Sequence, residues 1–153
     1  MPALTKFIFW AKNQVQNKNI TEMDAIKYLD NLRKSNKNFF SLSFPTIAGT
    51  GSNGAIVHYR ANKLTNKKIR KSDLFLVDSG AQYFDGTTDV TRTISFNKPR
   101  KDQIDMYTRV LKGHIAVARS KFKYGEKGKK LDNLATEILG ELVQATPKLK
   151  IYS

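Results

Sequence analysis

The stretch Asp78-Ser79-Gly80-Ala81-Gln82-Tyr83-Phe84-Asp85-Gly86-Thr87-Thr88-Asp89-Val90-Thr91-Arg92-Thr93 constrains this chain more than any other part of it. The apolar run Leu74-Phe75-Leu76-Val77 has the length of a buried strand and delivers Asp78 at its end. Val90, Thr91, Thr93, Ile94 and Phe96 are β-branched or aromatic, and suit a second strand carrying Asp89. Gly80 and the Asp85-Gly86 pair supply turn residues between the two runs. A chain that folds back about Tyr83 and Phe84 brings the two aspartates face to face on neighbouring strands. A carboxylate in such a place is costly unless it is paired, hydrogen-bonded or bound to metal. Facing aspartates read as a proton-sharing dyad or as part of a hard-cation site. The same spacing allows a plain turn in which Asp78 is a cap and Asp89 pairs with Arg92.

Periodicity extends the reading to both ends. Leu4, Phe7, Ile8, Ala11 and Val15 recur at helical spacing. Thr21 is placed to cap a second helix, with Glu22 and Asp24 in the first turn and Met23, Ile26, Leu29 and Leu32 on one face. Residues 36–38 close it. From Phe39 through Tyr59 the pattern is that of strands, broken at Gly49, Gly51 and Gly54. Pro99 precedes a long helix with Ile104, Tyr107, Leu111, Ile115, Ala118 and Phe122 on one side, and Gly125 and Gly128 break it. Leu131, Leu134, Ala135, Ile138, Leu139 and Leu142 form a last apolar stripe that ends before Pro147. These stripes are read as core. The predicted order is α-α-β-β-β-α-α, an α+β fold with helices packed on a mostly antiparallel sheet.

The block from Asp78 to Thr93, together with Asn53-Gly54-Ala55-Ile56-Val57-His58-Tyr59, closely resembles the Xaa-Pro aminopeptidases (aminopeptidase P). These are pita-bread metallopeptidases, alongside the methionine aminopeptidases, prolidases and creatinases. Ser43-Phe44-Pro45-Thr46-Ile47 and Tyr107-Thr108-Arg109-Val110-Leu111-Lys112-Gly113-His114-Ile115-Ala116 look like the same family, and the blocks keep its order. The resemblance implies a partial pita-bread fold over residues 1–135, the first half of a catalytic domain, followed by a divergent tail at 136–153. It implies that Asp78 and Asp89 are the first two of five ligands to a divalent metal pair of manganese, cobalt or zinc. It also implies that His58 lines the site, where it binds substrate and moves protons. The implied substrates are peptides with proline at the second position.

The departures from the family matter as much. Its remaining ligands are one downstream histidine and two glutamates, whereas this chain holds only two histidines, His58 and His114. His114 falls inside a predicted helix and is read as structural. Glu137 and Glu141 stand at i and i+4 and read as a solvated helix face. Two aspartates alone hold a divalent ion weakly, so the isolated chain is expected to be inactive. The favoured expectation is a truncated remnant of a frameshift, a premature stop or a split gene. The alternative is one half of a split aminopeptidase completed by a complementary chain that brings the missing ligands. Without such a partner the sheet is expected to keep an unpaired edge and an uncovered apolar patch.

A formal net charge of +14 raises a third reading, a non-catalytic basic binding module. Lys67-Lys68-Ile69-Arg70-Lys71 and Lys127-Gly128-Lys129-Lys130 are its densest clusters. They lack aromatic interleaving and any nucleic-acid motif, so nucleic acid is not an expected partner. The absence of cysteine excludes disulfides and thiolate sites. Phe7-Ile8-Phe9-Trp10-Ala11 is too short to span a bilayer and lacks the layout of a signal peptide. No membrane partner is expected, and the cytoplasm is the default compartment.

Overall fold

A computed structural model describes residues 2–145, with side chains through residue 137. The chain divides between Lys98 and Pro99 into two compact units. The first holds helices α1 (Ala3–Asn17) and α2 (Glu22–Lys34) and strands β1 (Phe39–Leu42), β2 (Ile47–Thr50), β3 (Leu74–Tyr83) and β4 (Gly86–Ser95). The second holds α3 (Lys101–Arg119) and α4 (Gly128–Ala145).

Antiparallel pairing runs throughout the sheet. β3 is its centre, with β1 and β2 along one edge and β4 along the other. β1 and β2 form a single interrupted lane, because Leu42 pairs with Ala81 and Ile47 pairs with Asp78. Alternation along β3 sends Phe75, Val77, Ser79 and Ala81 into the interior. Phe75 and Val77 share one core cluster with Phe7, Ala11 and Val15 of α1 and Ala25 and Leu29 of α2. Phe7, Phe75 and Phe96 form a chain of ring contacts with centroids 6.4 and 5.9 Å apart. Helices cover this one face, and the other face of the hairpin is left for Asp78 and Asp89.

Several expectations need correction. Residues 51–59 are not strand: β2 ends at Thr50 and a 3-10 turn, Gly51–Ala55, follows. Gly49 explains the change of direction, since a Cβ there would lie 2.8 Å from the backbone of Asn53 and Gly54. Gly80 is not turn punctuation but lies inside β3, and the hairpin reverses at Phe84 and Asp85. Asp78 is therefore in mid-strand rather than at a strand end. The buried stripe of α2 is Glu22, Ala25, Leu29 and Arg33, while Met23 is exposed. Thr21 does cap α2 as expected, and its cap is a reciprocal capping box with Asp24.

The second unit corrects the core reading of the α3 stripe. Ile104, Tyr107, Leu111 and Ile115 are exposed, and Phe122 lies beyond the helix end. Only Gly113 of α3 is buried, where a Cβ would sit 2.6 Å from the carbonyl oxygen of Ala135 on α4. Periodicity identifies which face is apolar but says nothing of what covers it. His114 is exposed on α3, and Glu137 is exposed on α4. The side chains of Ile138, Leu139, Glu141 and Leu142, and the expected stop at Pro147, lie outside the described residues.

Candidate functional site

Strand register decides how the aspartates meet. Asp78 is opposite Thr91, and Asp89 is opposite Gly80. The two are thus diagonal partners on one face of the β3–β4 hairpin, not directly opposed. Diagonal positions are about 7–8 Å apart along the backbone, a span two carboxylates can close around a metal pair about 3.5–4 Å wide. Arg92 is on the other face, three residues from Asp89, so the alternative Asp89–Arg92 pair does not form; its Nη1 donates to the Thr91 carbonyl at 2.7 Å.

Asp78 and Asp89 differ in setting. Asp89 is exposed, whereas Asp78 is half-buried and its Oδ1 is fully buried with no hydrogen-bond partner. A buried acceptor left without a donor costs about 1–3 kcal/mol. A hard cation would satisfy that oxygen, so the two carboxylates fit one side of a divalent metal site. Among the described residues, no group of three or more His, Cys, Asp or Glu side chains forms a metal cluster.

Gly80 keeps this face tight. A Cβ at this position would run into the Thr88 carbonyl oxygen and Ser43 Oγ. Ser43 Oγ in turn donates to the Thr88 carbonyl at 3.1 Å, drawing the β1–β2 connection across β3 towards β4.

His58 stands elsewhere in the unit, in the turn after the 3-10 segment. It is exposed, and no described hydrogen bond or ion pair joins it to Asp78 or Asp89. Its φ of 54° is left-handed, a conformation rarely held by a non-glycine residue and often retained for function.

What holds that turn is Glu22, which the sequence reading placed only in a helix's first turn. Its carboxylate is fully buried. Oε1 accepts from the Thr50 N–H at 2.8 Å and from Asn53 Nδ2 at 3.0 Å. Oε2 accepts from the Tyr59 hydroxyl at 2.8 Å and the Lys67 N–H at 3.0 Å. One side chain therefore ties β2, the 3-10 turn, the residue after His58 and the lysine loop to α2. The positive end of α2 favours the carboxylate there. A usable signal was present: Asp24 already completes the capping box, which leaves Glu22 surplus to it.

Burial pushes the Tyr59 hydroxyl above its usual value; its hydrogen bond with Thr65 opposes this, and the adjacent Glu22 carboxylate reinforces it. The folded state therefore favours neutral Tyr59. Its contribution is fully present below about pH 10 and is lost as pH rises through the higher folded value. The difference in unfolding free energy between the native chain and Tyr59→Phe is expected to shrink above that pH in urea titrations. A pH-independent difference would contradict this.

Arg33 was likewise missed. It is buried, donating from Nη2 to the Ser79 carbonyl at 3.2 Å and Ser79 Oγ at 2.9 Å, and from Nη1 to Thr88 Oγ1 at 3.2 Å. It pins α2 to both strands of the hairpin from behind the aspartates.

Residues 2–150 match the model of metallopeptidase family M24. The chain belongs to metallopeptidase family M24. Within that family it is 41% identical over 141 residues to Xaa-Pro aminopeptidase ApepP of Drosophila melanogaster, covering 92% of this chain and 23% of that protein. Aminopeptidase P2 of Arabidopsis thaliana is 42% identical over 141 residues, covering 92% and 20%. The chain thus spans about a fifth to a quarter of the length of these relatives. Among solved structures, the X-prolyl aminopeptidase of Caenorhabditis elegans, described as a cytosolic enzyme with a di-nuclear active site, superposes with a TM-score of 0.84 at 41% identity. It is matched over 92% of this chain and 23% of its own. The prolidase of Pyrococcus furiosus gives 0.73 at 29% identity, over 88% of this chain and 39% of its own. The M24 chain therefore has the aminopeptidase P and prolidase type of pita-bread fold over the part it spans. No helix among its described residues is long and apolar enough to cross a membrane.

Proposed function

We propose that this M24 chain supplies two carboxylates and one histidine of an Xaa-Pro aminopeptidase-like site, and that alone it does not hydrolyse peptides. The observation that carries this reading is the placement of Asp78 and Asp89 on one hairpin face, with the buried Asp78 Oδ1 lacking any partner. A divalent pair, when bound, supplies Lewis-acid polarisation of a carbonyl and a water acidic enough to react near neutral pH. Asp78 and Asp89 would hold that pair from one side. Manganese, cobalt or zinc is the expected ion, held weakly because a tight site needs more fixed ligands than two carboxylates. His58 would orient a peptide with proline at its second position, or move a proton at its imidazole.

The ligand count supports inactivity, since the chain has two histidines, His58 and His114, and His114 is an exposed residue of α3. Residues 1–135 as the first half of a catalytic domain, 136–153 as a divergent tail and a cytoplasmic location belong to the same proposal. A second reading is one half of a split aminopeptidase, completed by a complementary chain that brings the remaining ligands.

The test is Xaa-Pro peptide cleavage with added manganese, by the chain alone and mixed with a polypeptide carrying the remaining family ligands. No cleavage by the chain alone is expected. Cleavage only in the mixture would select the split enzyme, and cleavage by the chain alone would sink the proposal. Metal binding is testable separately. Asp78→Ala is expected to raise metal-free stability by about 1–2 kcal/mol, because it removes an unsatisfied buried acceptor. It should also abolish any manganese-induced rise in melting temperature. A destabilised variant that still responds to manganese would remove Asp78 from the site.

A further inference from the structure

The side of the β3–β4 hairpin away from the aspartates carries a second polar site of opposite sign. Alternation in β4 sends Thr88, Val90 and Arg92 to this side while Asp89 and Thr91 take the other. With the first turn of α1 and the last turn of α2 they enclose a cleft of about 520 Å³. Its charged lining residues among those described are Lys6, Arg33 and Arg92, and no described Asp or Glu lines it.

Arg33 distinguishes this cleft from an ordinary basic surface. It is only 4% exposed, and no described ion pair neutralises it. Although its Nη atoms are held by Ser79 and Thr88, its Nε–H is buried without an acceptor. Leaving a desolvated guanidinium without a counter-charge is costly. A second feature converges on the same space. α1 starts after Pro2 with no side-chain cap and no acid in its first turn. The N–H groups of Ala3, Leu4 and Thr5 therefore find no acceptor within the helix, and the positive end of its dipole borders the cleft.

We propose that this cleft binds a small, doubly charged oxyanion of the phosphate class, with Arg33 as its buried anchor. The α1 amides, Lys6 and Arg92 complete the cage, and Thr5, Ser35, Asn36 and Tyr83 line it with further polar groups. A dianion matches three cations and a helix terminus better than a monocarboxylate does. The site faces away from Asp78 and Asp89 and does not depend on the peptidase reading.

The experiment is a titration of the full chain with inorganic phosphate at constant ionic strength, followed by nitrogen–proton correlation spectra that include arginine Nε–H signals. Saturable shifts are expected at the Ala3, Leu4 and Thr5 amides and at Arg33 Nε–H. Lys6 and Arg92 are exposed, so Lys6→Gln with Arg92→Gln should leave the spectrum folded while weakening phosphate binding about tenfold or more. Acetate should bind more weakly than phosphate. Shifts that do not saturate, an unchanged affinity in the double variant, or equal binding of acetate would each overturn the proposal.

Discussion

Replacing Glu22 by alanine is expected to lower the unfolding free energy of the first unit by more than about 4 kcal/mol. The loss does not come from a missing ion pair, since no described ion pair includes Glu22. It comes from the Thr50 and Lys67 amides, which lose their acceptor, and from the Asn53 side chain and Tyr59 hydroxyl, which lose the carboxylate and keep the Thr65 carbonyl, with the emptied space adding to the loss. Each buried donor left bare costs about 1–3 kcal/mol, and small domains hold only about 5–15 kcal/mol in all. Glu22→Gln keeps the shape and one acceptor oxygen but turns an NH₂ towards a backbone N–H. It should cost about half as much, near 2 kcal/mol. Urea unfolding followed by Trp10 fluorescence measures both, because Trp10 is the single tryptophan and stacks on Tyr28 at 3.9 Å. Equal and small effects of the two variants would mean that the loop ending at Lys67 finds other partners, and that Glu22 does not position His58.

Gly80→Ala is the second large effect. The added methyl meets a backbone carbonyl, that of Thr88, and not the end of a flexible side chain that could swing aside. Either β4 moves off β3 or the Ser43 connection is displaced, and overpacking of this kind costs about 3 kcal/mol. Because Gly80 is opposite Asp89, the displacement should also spread the aspartate pair and erase any manganese-induced stabilisation. Gly128→Ala is the control, as a Cβ there meets nothing within 4 Å. If Gly80→Ala were as silent as the control, β3 and β4 would be less closely held than their register implies.

The hairpin was legible from the apolar run 74–77, the β-branched and aromatic residues of 90–96 and the turn chemistry at Asp85-Gly86, although β3 runs on to Tyr83 through Asp78 and Gly80. Asp78 and Asp89 followed from it, although their diagonal offset depends on a register that spacing alone does not fix. His58 entered only through the resemblance, since a histidine in a turn carries no period. Glu22 and Arg33 were hidden for a different reason. Both occupy helix positions where a charge has an ordinary local explanation, and their real partners lie 28 to 55 residues further along the chain. The strand expected over 51–59 failed because Ile56 and Val57 have strand propensity, while Gly49 and Gly54 needed a close backbone crossing that propensity cannot express. The α3 stripe failed because amphipathicity is a property of one helix and burial is a property of its surroundings.

β4 carries an acidic residue for one side and a basic residue for the other, separated only by the two-residue pleat. A single inserted or deleted residue between Gly86 and Asp89 would exchange the sides, sending Asp89 towards Arg33 and Arg92 towards Asp78. Point substitutions could retune either side on its own, but any change in strand length would alter both in one step. The hairpin should therefore tolerate varied residues far better than varied length.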